Sequence, residues 1–269
     1  MKKRPVLLAA LTAMMLAVLI GACASGARQP DDSAVLMPIP VYGAAPIVRV
    51  KLAAPSKKDN LQVDAGRATL RLDGVETTLD GATELRLSEG LITTGSGTGR
   101  FAEITPLANP GHFSLDGRTY RGVLRLHAAT DGWEVVNVVD LEQYVAGVIG
   151  WEMIASWPVE ALKAQAIASR TYAVFTMEES RALGRNWDLD DTARYQVYGG
   201  VGPTASPKLW RETANVLAAR SQTTGMVLTY RGKGFKTFFH STSGGHTTDV
   251  RTALGVDAVI EPLQGVELG

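Results

Sequence analysis

The sequence predicts an α+β chain: a small all-β unit followed by a part in which helices pack with β-strands. Three observations carry this. Short alternating apolar and polar runs occupy the stretch from about Ile47 to Asp131, and two of them close on Asp-Gly turn signals. No segment in that stretch holds a sustained helical period. From Val136 to Tyr172 the pattern changes, and two helix signals follow one another across an aromatic-rich turn that holds a single carboxylate, Glu152.

The chain has 269 residues, 45% of them hydrophobic and 20% charged, enough to bury one large core or two small ones. Its 27 Lys and Arg balance its 27 Asp and Glu, so no basic surplus points to nucleic acid as a partner.

Residues 1–23 read as a targeting segment, with Lys2, Lys3 and Arg4 as its basic part and Val6 to Ile20 as its apolar core. Leu19-Ile20-Gly21-Ala22-Cys23 resembles a bacterial lipobox, whose cysteine is acylated and becomes the mature N-terminus; the plainer alternative is a thiol lost with a cleaved signal peptide. Cys23 is the only cysteine, which excludes an intrachain disulfide. A lipid anchor at Cys23 implies the periplasmic side of the bacterial envelope. With Ala24 and no aspartate after it, outer-membrane sorting is expected in a Gram-negative cell. Residues 24–45, rich in Ser, Gly, Pro and Asp without periodicity, read as a flexible tether.

Residues 46–132 form the expected all-β unit. Its strands are predicted at Ile47–Leu52, Ala68–Leu72, Thr83–Leu87 and Tyr120–His127, with turns at Asp73-Gly74 and Asp116-Gly117. It offers no chemistry of its own: its role is that of a scaffold, or of positioning a substrate. His112 and His127 have no partner at metal-ligand spacing and read as ordinary strand histidines.

Residues 133–269 form the second expected domain. A β-run from Trp133 to Val139 leads to Asp140, which can cap a helix carrying Leu141, Tyr144, Val145 and Val148 on one stripe, with Gln143 completing a capping box. A second helix is expected from a Ser156 cap, with Pro158 in its first turn, to about Leu183. Lys163 and Arg170 on that helix could hold a substrate or pair with Glu160, surface pairing being the ordinary case. A third helix is predicted over Pro207–Ala219 with Trp210, Ala214 and Leu217 buried. A hairpin follows over Arg231-Gly232-Lys233. Glu152 is flanked by Trp151, Met153, Ile154 and Trp157, which should partly dry it and favour its protonated form. Taken alone, however, a glutamate before a helix is ordinarily a solvated end-of-helix charge.

The segment DLEQYVAGVIGWEM-IASWPVEALKAQAIASRTYA resembles the core of the SpoIID/LytB family, in which a Glu-Met pair precedes a Ser-Trp-Pro helix start. Two further blocks agree in order, Gln196-Val197-Tyr198-Gly199-Gly200 and Phe239-His240-Ser241-Thr242-Ser243-Gly244-Gly245-His246-Thr247. The resemblance covers about half the chain, from Val135 on. It implies a core of helices packed on antiparallel strands and a lytic transglycosylase acting on peptidoglycan, with Glu152 as the catalytic acid and base. It implies no cofactor and no catalytic metal. Gln196 and Tyr198 would offer an amide and a phenol to sugar hydroxyls; as an ordinary alternating strand, the same residues would pack inward. His240, Ser241 and Ser243 would contact substrate. Gly244 and Gly245 would let the backbone turn tightly against it, or simply form a turn. A serine-hydrolase reading of His240 and Ser241 lacks the G-x-S-x-G elbow.

The departures from the family pattern are specific. Trp151 and Ile154 stand where relatives commonly carry Ser and Pro, so Trp151 either occludes the cleft or stacks on a sugar. Relatives often hold zinc with Cys, His and Cys where this chain has Asp190, Arg194 and Tyr195, so no zinc is expected and an ion pair of Arg194 with Asp190 or Asp191 would replace it. The end of the chain reads as truncated or divergent, since relatives continue further. Implied partners are glycan strands, the membrane through Cys23, and an N-acetylmuramoyl-L-alanine amidase that strips the stem peptides. A second class follows from LytB-type relatives: a non-catalytic, glycan-binding amidase enhancer. A lipid-anchored scaffold is the third.

Overall fold

The computed structural model describes residues 34–38, 46–109, 111–129, 132–256 and 260–268, the first of these through its backbone. All fall in one unit, Asp32–Gly269. The targeting segment with Cys23, and the tether apart from residues 34–38, lie outside the described residues.

The strands in chain order are β1 (Ala34–Pro38), β2 (Ile47–Lys51), β3 (Asn60–Leu72), β4 (Val75–Ser88), β5 (Leu91–Thr94), β6 (Gly97–Gly99), β7 (Phe101–Pro106), β8 (His112–Leu115), β9 (Arg118–Arg121), β10 (Val123–Ala129) and β11 (Gly132–Asp140). Helix α1 (Leu141–Glu152) and helix α2 (Val159–Ala182) follow. After them come β12 (Leu189–Asp190), β13 (Gly202–Pro203), α3 (Ala214–Gln222), β14 (Met226–Tyr230), β15 (Lys233–Gly234) and α4 (Val250–Leu254). This is the α+β architecture expected.

Twelve strands join in one sheet, whose main path runs β12-β2-β11-β10-β7-β3-β4-β5-β6. The expected β unit and the part beyond it share that sheet, because β2 pairs antiparallel with β11 and β12 pairs parallel with β2. Both Asp-Gly signals form hairpins. Asp73 and Gly74 join β3 to β4 at φ 45° and 92°, as a turn with two left-handed residues requires, and Asp116-Gly117 joins β8 to β9. Alternation places Val48, Val50, Ala102, Ile104, Leu124 and Leu126 in the core. β1, inside the expected tether, pairs with β14 in a second sheet of three strands.

Helix α1 starts where expected, with Asp140 accepting from the backbone N–H of Glu142 and Gln143. It runs on through Gly150 and Trp151 to Glu152, so the expected turn is shorter by one helical turn. Gly150 does not end the helix. It lets the chain at Arg211 approach, where an added Cβ would lie 2.6 Å from the Arg211 carbonyl oxygen. Most of α1 is buried on all sides, from Leu141 through Gly150, as suits a helix wrapped by the sheet, α2 and α3. Helix α2 is capped at Pro158 and not at Ser156, without a side-chain cap bond. Arg170 on α2 is fully buried, not at the surface, and forks onto Glu142 of α1 at 2.8 and 2.7 Å. The third helix starts at Ala214 rather than Pro207, because Thr213 caps it and Pro207–Leu209 forms a separate single turn; Val216 and Ala219 are its buried residues. The second strand of the last hairpin is only Lys233–Gly234, and residues 235–240 continue without regular structure. Among the described residues no helix is long and apolar enough to cross a membrane.

Candidate active site

Glu152 is the last residue of α1, and the helix ends there because Met153 is extended while its N–H still bonds back to the Ile149 carbonyl. The half-buried Glu152 carboxylate accepts from the Val197 backbone N–H at 2.6 Å through Oε1. Its Oε2 has no hydrogen-bond partner among the described residues. The carboxylate lines a groove of about 550 Å³ with Trp157, Tyr172, Arg194, Tyr195, His240 and Ser241. Helix α2 supplies Gln165 and Tyr172, seven residues apart and therefore on one face. Burial pushes the Tyr172 phenol up to about 12, with the nearby Tyr195 adding to the shift. Of the sequence neighbours expected to dry Glu152, Met153 and Trp157 line the groove beside it while Trp151 and Ile154, the latter 57% exposed, do not; Tyr172, Phe238, Phe239 and Leu254 supply the rest of the apolar wall.

The two motif blocks separate. His240 and Ser241 are exposed and share the groove with Glu152. Ser243, Gly244 and Gly245 lie outside its lining; the glycines turn the chain at φ 62° and 93°, and the Gly245 carbonyl accepts from the Leu268 N–H. Gln196 and Tyr198, expected to meet sugar, are buried. The Tyr198 hydroxyl donates to Asn137 Oδ1 at 2.7 Å, and the Tyr144 hydroxyl donates to Gln196 Oε1 at 3.0 Å. Their side chains point inward on either side of Val197, so they hold the irregular segment that presents the Val197 N–H to Glu152. Neither side chain lies in the lining of the groove. The hydroxyls of Tyr144 and Tyr198 are both held well above the usual range, by burial first.

Trp151 neither occludes the groove nor offers a face within it. Its Nε1 donates to the Gly200 carbonyl at 3.2 Å, and its ring lies so close to Gly199 that an added Cβ would sit 2.2 Å from it. The guanidinium groups of Arg118 and Arg211 lie 4.7 and 5.2 Å from its centroid. Successive helical residues point about 100° apart, which sends Trp151 into packing while Glu152 reaches the groove.

The acidic loop is also wired differently from expectation. Asp188 is buried and pairs with Arg49 at 2.6 Å and Arg181 at 3.3 Å. Asp190 accepts from the Thr192 N–H and hydroxyl, and Asp191 accepts from the Ala53 N–H. Burial raises the Asp191 carboxyl above its usual range. Arg194 forms no ion pair with Asp190 or Asp191 and instead lines the groove beside Glu152. Among the described residues no three His, Cys, Asp or Glu side chains are grouped to hold a metal ion.

The family described as SpoIID, stage II sporulation protein, matches residues 129–230, which include α1, α2 and the irregular segment at Gln196–Gly200. Over these residues the chain is similar to the SpoIID family. Among curated relatives, an uncharacterized protein of Brachyspira hyodysenteriae is 38% identical over 146 residues, 54% of this chain and 37% of its own length. Stage II sporulation protein D of Bacillus subtilis is 36% identical over 119 residues, 42% of this chain and 34% of its own. The Amidase enhancer of Bacillus subtilis is 35% identical over 136 residues, 50% of this chain and 17% of its own. The chain thus spans about a third or less of the length of most of these relatives. The SpoIID segment carries Glu152, Tyr172, Arg194 and Val197, whereas His240 and Ser241 reach the groove from beyond it.

Sequence reasoning passed over Gln165, Tyr172 and Arg194 as groove residues. The spacing of Gln165 and Tyr172, a polar and an aromatic residue on one face of an Ala-rich helix, was the available signal. Nothing local marked Arg194, since its neighbours Asp190 and Asp191 read as its partners.

Proposed function

We propose that the protein is a peptidoglycan lytic transglycosylase that cuts the β-1,4 bond between N-acetylmuramic acid and N-acetylglucosamine and leaves 1,6-anhydro ends. The observation that carries this is the groove's single acid: among its described lining residues Glu152 is the only carboxylate. Glycoside hydrolases that use water commonly need two carboxyl groups across the scissile bond. A transglycosylase needs one, because its nucleophile is the sugar's own C6 hydroxyl, held on the same ring. Glu152 Oε2, left without a partner while Val197 fixes Oε1, donates a proton to the glycosidic oxygen as the bond breaks. The resulting carboxylate takes the proton of the C6 hydroxyl as its oxygen bonds to C1, and the acid is restored. His240, Ser241 and Tyr172 line the groove as donors to sugar oxygens. Glycan strands are the partner, peptide-free ones the preferred form, and an amidase the enzyme that would prepare them. Anchoring at Cys23 would place the protein in the cell envelope, and no cofactor enters the scheme.

A second reading is favoured by the Amidase enhancer relative: a glycan-binding protein that acts through an amidase without cleaving the strand itself. One experiment separates the two. Peptide-free glycan strands are incubated with the protein and with Glu152→Gln, which keeps the Oε1 bond to Val197, and the fragments are weighed by mass spectrometry. Anhydro-ended products are expected from the native protein, with the rate falling about a thousandfold in the variant. Strand binding by both proteins with no fragments from either would establish the enhancer reading instead.

A further inference from the structure

Arg194 joins the Glu152 groove to a second cavity of about 540 Å³, and among the described residues it is the one side chain that lines both. The second cavity lies between the start of β11, the stretch from Lys51 to Lys57, and the loop from Trp187 to Arg194. Its charges are unequally engaged. The two acids are already occupied: Glu134 accepts from Asn186 Nδ2 and Trp187 Nε1 at 3.0 and 3.1 Å, and Asp190 accepts twice from Thr192. Two of the three cations are not. Lys57 and Arg194 have no carboxylate partner among the described residues, whereas Lys51 pairs with Glu134 at 4.0 Å and lies 5.4 Å from the centre of the Trp187 ring. The wall also holds Trp133, a buried residue whose Nε1–H finds no acceptor among the described residues. Free cations and an unused donor beside satisfied acids make a cavity suited to an anion, not to a metal ion.

We propose that this cavity is an outer subsite of the glycan strand, holding a muramic acid through its free lactyl carboxylate. The inference rests on the proposed function. That carboxylate exists only when the stem peptide is gone, because the attached peptide turns it into a neutral amide. A site that reads the charge with Lys57 and Arg194 therefore favours stripped strands, and favours those long enough to reach from Glu152 past Arg194. Lys51 and Lys57 lie outside residues 129–230, so the β part of this chain contributes substrate recognition that the SpoIID segment alone does not supply.

The test measures binding by calorimetry with the full chain carrying Glu152→Gln, so that no strand is cut. The ligands are peptide-free disaccharide and dodecasaccharide strands, and dodecasaccharide whose lactyl carboxylates are capped as methylamides. Adding Lys57→Gln should weaken the uncapped dodecasaccharide about tenfold, the scale of one lost charge-assisted contact, while Lys57→Arg restores it. The capped strand should bind the parent about as weakly and lose nothing further in Lys57→Gln. Equal binding of capped and uncapped strands, or an equal loss for disaccharide and dodecasaccharide, overturns the subsite and leaves the transglycosylase standing. Failure of every strand to bind the parent overturns both.

Discussion

The blocks at Gln196–Gly200 and His240–Gly245 carry the same kind of residue and meet opposite fates. In the first, Gln196 and Tyr198 turn inward, and their polar atoms bond to Tyr144 and Asn137 within the core. In the second, His240 and Ser241 stand exposed on the groove that holds Glu152. The difference teaches that a polar motif can serve a site from behind. The inward block fixes the Val197 N–H against the carboxylate, and the outward block lies exposed beside it in the groove. Arg170 belongs with the inward block: its guanidinium bonds Glu142 and the Met226 carbonyl, and it stiffens the helix whose other face carries Gln165 and Tyr172.

Substitutions should sort by this division. Losses from the inward set should appear as stability, and losses from the outward set as turnover. Arg170→Ala should have the largest effect on stability, about 3 kcal/mol in urea denaturation, because it leaves Glu142 half-desolvated with only the Gly225 N–H to hold it. Tyr198→Phe should cost about 1–2 kcal/mol by stranding Asn137 Oδ1, with strand affinity held within about twofold. A Tyr198→Phe protein of native melting temperature but lost affinity would place the phenol in the groove and break the comparison. His240→Ala should show the reverse pattern: an unchanged melting curve, with anhydro-product formation slowed about tenfold, the worth of one hydrogen bond to substrate.

Local grammar is legible in the order of residues alone. The Asp140 cap, the Asp73-Gly74 and Asp116-Gly117 hairpins and the β-run into α1 all follow from interactions within a few residues. Long-range choices are not legible in that way. Whether Gln196 and Tyr198 face in or out is a choice of phase along a segment whose burial alternates, and a shift of one residue reverses it. Gly150 looks like a helix terminator until the approach of Arg211 explains it. Arg170 resembles a surface cation because Glu142 lies on a different helix, 28 positions away. Glu152 could be singled out by resemblance, but its support by Val197 depends on a contact across 45 positions of chain.

The smallest effect should come from Gly244→Ala, and it probes the outward block where no side chain is involved. Gly244 holds φ at 62°, and nothing lies within 4 Å of where a Cβ would be placed. The substitution therefore adds strain without a clash, about 1 kcal/mol, the ordinary penalty for an L-residue in the left-handed region. The turn is exposed and lies past the groove, so this strain should relax locally, with the melting temperature nearly unchanged. If the turn only returns the chain, product formation will also stay near the native rate. If it fell as far as in His240→Ala, the turn would be setting the position of His240 and Ser241, and the outward block would depend on backbone placement as the inward one does. The relevant measurement is the pair of rates taken side by side on one strand preparation, since the comparison rests on their ratio.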